Sequence, residues 1–96
     1  MMTRNDYTNQ MAATLEKWST QLGELQAKVR DAGAGQKAQV ETAVAALKVQ
    51  RTAYQEQMKK VRDASDAALA DLRRGSERMA EEFAKAYAQA FGQFAT

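Results

Sequence analysis

The sequence predicts an all-α protein, and three observations carry that prediction. Its 96 residues include no proline, so no ring forces a helix to end on steric grounds. Ala, Gln, Glu, Lys, Arg and Leu dominate the chain, and all of these favour helix. Apolar residues recur every three or four positions, while the β-branched and aromatic runs typical of strands are missing. A chain of this length forms one domain, 1–96, with a small core.

The first helix is expected over about 5–31. Thr3 followed by Asp6 forms a capping box with Asp in place of the usual Glu or Gln. Met11, Leu15, Trp18, Leu22, Leu25 and Val29 then follow at alternating spacings of four and three. At 100° per residue they occupy an arc of about 80°, the narrow seam of a coiled coil. Trp18 stands at a d position of that seam, which places it in the core against a neighbour drawn from residues 47–58. The segment DAGAGQ, with its turn at 32–36, ends the helix. Its two glycines offer the positive φ that a tight turn uses.

A second, long helix is expected over about 37–94. Val40, Val44, Leu47, Tyr54, Met58 and Val61 keep one helical phase with Leu69, Leu72, Met79, Phe83, Tyr87, Phe91 and Phe94, all within about 120°. A break would ordinarily reset that phase. Arg51, Ser65, Gly75 and Ser76 interrupt the stripe, and Gly75 costs about 1 kcal/mol relative to Ala inside a helix.

Length makes this arrangement consequential. The first helix spans ~40 Å and a straight second helix ~85 Å. An antiparallel hairpin would therefore leave the stripe over residues 69–94 bare, and bare apolar surface of that size calls for a partner. The fold expected is such a hairpin, self-associating as a homodimer through its long helix. The alternative is a three-helix bundle with a break near 65–76. The contact surface in either case comprises Trp18, Leu22, Leu69, Leu72, Met79, Phe83, Tyr87, Phe91 and Phe94.

Composition narrows the chemistry. Histidine and cysteine are both absent, which removes the usual proton shuttle, the thiol nucleophile, disulfides and most transition-metal sites. The glycines of AGAGQK lack the spacing of a phosphate-binding loop, and no strand precedes them. Neighbouring carboxylates such as Glu77 and Glu81 read as a solvated helix face. The chain is therefore read as non-enzymatic, with no catalytic, cofactor-binding or metal-ligating residue assigned.

Net charge is +2. The basic group Lys59, Lys60 and Arg62 is followed at once by Asp63 and Asp66, which argues against nucleic acid as a partner. A basic middle and an acidic end would suit pairing between copies. No apolar run approaches the ~20 residues that span a bilayer, and the N-terminus lacks a signal-like apolar segment. A cytoplasmic protein is expected.

Trp18, the LxxLxxxV run over 22–29, the AGAGQK turn and the Ala-rich aromatic end over 83–94 resemble the small bacterial coiled-coil proteins of undefined function. That resemblance implies a helical, non-catalytic protein with no site residues to carry over. The stripes over 11–29 and 83–94 are also similar to those of phasins, which coat polyester storage granules through amphipathic helices. This second resemblance implies reversible coating of a lipid or granule surface. The length is similar to that of secreted helical hairpins with a Trp-x-Gly turn, but here Trp18 precedes Ser19 and Thr20 within a helix.

Overall fold

A computed structural model describes residues 3–31 and 33–92. All regular structure among them is helical: α1 (Arg4–Arg30), α2 (Ala34–Asp63) and α3 (Asp66–Gly92). The Cα atoms extend 50 × 19 × 18 Å. A 30-residue helix is about 45 Å long, so three helices lie side by side in a bundle one helix long.

α1 starts where its capping box places it. The Asp6 N–H donates to Thr3 Oγ1 at 3.1 Å, and the Thr3 N–H donates to Asp6 Oδ2 at 3.2 Å. Two amide donors at the helix end are thereby satisfied, and the Asp6 carboxylate lies at the positive end of the dipole. α1 closes with the Asp31 N–H donating to the Lys28 carbonyl at 3.1 Å.

The turn is shorter than the expected 32–36. α2 begins at Ala34, with Gly33 as its N-cap in an extended conformation (φ −66°, ψ 158°). No described glycine has positive φ. Gly33 and Gly35 therefore do not supply the positive φ expected of the glycine pair.

The long helix over 37–94 is corrected: it is two helices. α2 ends at Asp63, Ala64 is extended (φ −75°, ψ 149°), and its N–H donates to the Val61 carbonyl at 3.3 Å. Ser65 Oγ then accepts the Ala68 N–H at 3.3 Å, capping α3. Asp66 stands in the first turn of α3, favourable to its dipole. The bond from Arg4 Nη2 to Asp66 Oδ1, at 2.7 Å, ties this corner to the start of α1.

α3 runs back beside α1. Asp66 lies near Arg4 at one end, and Phe91 lies under Lys28 at the other. The fold-back covers the stripe that a straight helix would have left bare, so the length argument for a dimer lapses. Backbones approach closely between α1 and α2 and between α2 and α3, and hardly between α1 and α3.

Gly75 does not break α3. A Cβ built there would lie 3.3 Å from Gln57 Nε2, and that amide donates to the Leu72 carbonyl at 3.1 Å. Next to it, Ser76 is fully buried and donates to the same carbonyl at 2.7 Å. Gly75 and Ser76 thus leave room for α2 where the stripe looks interrupted. Gly75→Ala tests the balance. Helix propensity favours Ala by about 1 kcal/mol, and the mobile end of Gln57 yields by a few tenths of an ångström. A small rise in melting temperature is expected. A fall would show that the Gln57 amide is held rigidly.

Candidate functional site

The wide α1–α3 seam is filled by rings. Trp18 stacks on Phe83 with centroids 3.9 Å apart and planes 10° from parallel. Tyr54 of α2 also packs on the indole, with centroids 4.6 Å apart and planes tilted by 54°. One indole therefore touches all three helices. The contact with Tyr54 falls in the expected segment 47–58. The stacking on Phe83 requires α3 to fold back, which only the three-helix alternative provides.

The expected contact residues separate by burial. Trp18, Leu22 and Phe83 are buried. Leu69, Leu72, Met79 and Tyr87 are half-buried and packed against the core. Phe91 is 37% exposed, with Lys28 Nζ 4.9 Å above its ring centroid and the Tyr87 ring 5.8 Å away. Phe94 lies outside the described residues.

Sequence reasoning missed Tyr7 and Val49. Tyr7 is buried, and its position four residues before Met11 continues the α1 seam, a signal that was present. Its hydroxyl donates to the Arg73 carbonyl at 3.4 Å, and the Arg73 guanidinium lies over its ring at 4.9 Å. Val49 is the opposite case, 69% exposed on the outward side of α2. Around it Ala38, Thr42, Ala45, Thr52 and Ala53 are also exposed. These residues recur at helical spacing on the side turned away from Leu47 and Tyr54.

The seam has an electrostatic signature. Burial, chiefly, pushes the Tyr54 phenol up to about 12, reinforced by Tyr7 and opposed by a hydrogen bond with Thr14. Burial also raises Tyr7, against a hydrogen bond with Ser76, and raises Tyr87, with Glu24 adding to the effect. A raised phenol binds its proton more tightly in the folded state. Its stabilising contribution is complete below the unfolded value of about 10 and disappears as pH rises towards about 12. Melting temperature should accordingly decline more steeply between pH 10 and 12 in the native chain than in Tyr54→Phe. Identical declines would contradict the burial of this phenol.

Among the described residues no group of three acidic side chains is placed to hold a metal ion. No described helix is long and apolar enough to cross a membrane. No family model, curated protein or solved structure matches the chain. The resemblances to bacterial coiled-coil proteins and to phasins rest on the quoted residues alone.

Proposed function

We propose that the chain is a non-catalytic structural protein of the cytoplasm that works by helix–helix self-association. The observation that carries this reading is the outward face of α2. Val49, 69% exposed, stands there among small exposed residues. Small side chains let a second helix approach closely, and the valine supplies apolar area at the centre. The basic side chains of α2 and the acidic ones of α3, Glu77, Glu81 and Glu82, would favour an ordered pairing of copies.

Val49→Glu tests the reading. At micromolar concentration the native chain should have the mass of a homodimer by light scattering. The variant should have the mass of one chain and keep its helix content, since Val49 makes no part of the buried core. A native protein that is monomeric at every concentration would remove self-association from the account.

A second reading has support of its own, coating of an apolar surface. Near the end of α3 Tyr87 is half-buried and Phe91 is 37% exposed, and the backbones of α1 and α3 hardly approach each other. Opening that seam would expose Trp18 and Phe83 to an apolar phase. Self-association is preferred because it leaves the buried rings in place.

A further inference from the structure

The groove between α1 and α2 carries an inference that rests on neither reading, although Ala45 and the α2 lysines also border the face proposed for self-association. It has a volume of about 510 Å³ and lies beside the α1–α2 turn, within the ~300–1,000 Å³ typical of small-molecule sites. Val29 of α1 and Val44 of α2 line it, and both are 6% exposed. Ala45 adds an exposed methyl group. Arg30, Lys37 and Lys48 also line it, against the one carboxylate of Glu41. None of these three cations is in an ion pair among the described residues.

We infer that this groove binds a small single-chain organic anion, a medium-chain carboxylate free in solution. Two features of the groove select that class. Apolar lining, chiefly the exposed Ala45 methyl group beside the residual surfaces of Val29 and Val44, favours an alkyl body over a bare ion. Excess unpaired positive charge favours an anionic head, which Arg and Lys recognise through charge-assisted hydrogen bonds. Lys37 and Lys48 lie about 16 Å apart along the helix, so the charged wall runs along the groove. An elongated ligand can lie between them with its head at either end.

The experiment is calorimetric titration of the full chain with decanoate below its micelle concentration. Acetate and decyltrimethylammonium serve as the head alone and the same chain with opposite charge. Saturable one-to-one binding of decanoate is expected, with neither control binding comparably. Lys37→Gln/Lys48→Gln should weaken it by about tenfold or more, from the loss of hydrogen bonds to a charged group. Ala45→Glu should abolish it by adding a carboxylate to the groove at an exposed helical position. Circular dichroism should show both variants folded with unchanged melting temperature. Lys85→Gln, on α3, should bind as the native chain does.

Four results would overturn the inference. They are no saturable decanoate binding, equal binding of the cationic amphiphile, equal binding of acetate, or an equal loss in Lys85→Gln. The last would mean that net charge alone governs binding.

Discussion

Trp18→Ala is expected to destabilise the chain by about 3–5 kcal/mol, the usual cost of emptying a buried aromatic site. The indole is 5% exposed and in contact with the rings of Tyr54 and Phe83, so its removal affects the packing of three helices together. A domain of this size has a total stability of about 5–14 kcal/mol. The substitution therefore takes a large part of it and shifts the urea midpoint far down. Circular dichroism reads the transition without the tryptophan. A loss below about 1 kcal/mol would mean that the indole is not enclosed.

The second large effect is a contrast along one helix. Phe83 is 1% exposed and stacked on Trp18. Phe83→Glu would place a carboxylate inside a ring cluster, and leaving such a charge unpaired should cost about 4 kcal/mol or more. Phe91, two turns further on, is 37% exposed under the Lys28 ammonium. Phe91→Glu loses a cation–π contact of about 0.5–1 kcal/mol, but the new carboxylate can meet the same lysine. Its melting temperature should stay within a few degrees of native, while Phe83→Glu should melt far lower or fail to fold. Equal effects would contradict the burial pattern. Because Phe91→Glu keeps the fold, it also examines the coating alternative cleanly. Unchanged adsorption to apolar particles in that variant would count against a role for this end of the seam.

Much of α1 was legible in the sequence. A regular seam from Met11 to Val29 and a local cap at Thr3 depend on near neighbours only, and the structure has the helix within a residue of the expected ends. The break between α2 and α3 belonged to the alternative three-helix bundle with a break near 65–76, and the continuous helix was preferred to it for a physical reason. Apolar phase tells which side of each segment faces the core, but it does not report whether the backbone between them is helical. Ala64 is a strong helix former, so local propensity opposes a break there. Covering the stripe from Leu69 to Ala90 outweighs it. A cue did exist in Ser65 followed by Asp66, a cap residue and then an acid suited to a helix start.

Gly75 drew attention as the weak point, yet it stays helical, with the side chain of Gln57 packed beside it. The contact surface was partly legible for the same reasons as the fold. Its apolar membership could be read from spacing, whereas the pairing of Trp18 with Phe83 depended on the direction α3 takes. Val49 could not be singled out before the inward side of α2 was known, since its exposure is a property of packing.

The aromatic stripe of α3 closes on α1 of the same chain. Energy transfer from Trp18, the sole tryptophan, to an acceptor on Gln89→Cys tests it directly. Gln89 is exposed and lies six residues, about 9 Å along the helix, beyond Phe83. Efficient transfer is expected, unchanged by dilution and by excess unlabelled protein, because donor and acceptor share one chain. A straight second helix would hold them roughly 60 Å apart. Transfer that is absent, or that vanishes when unlabelled chains are added, would contradict the fold-back.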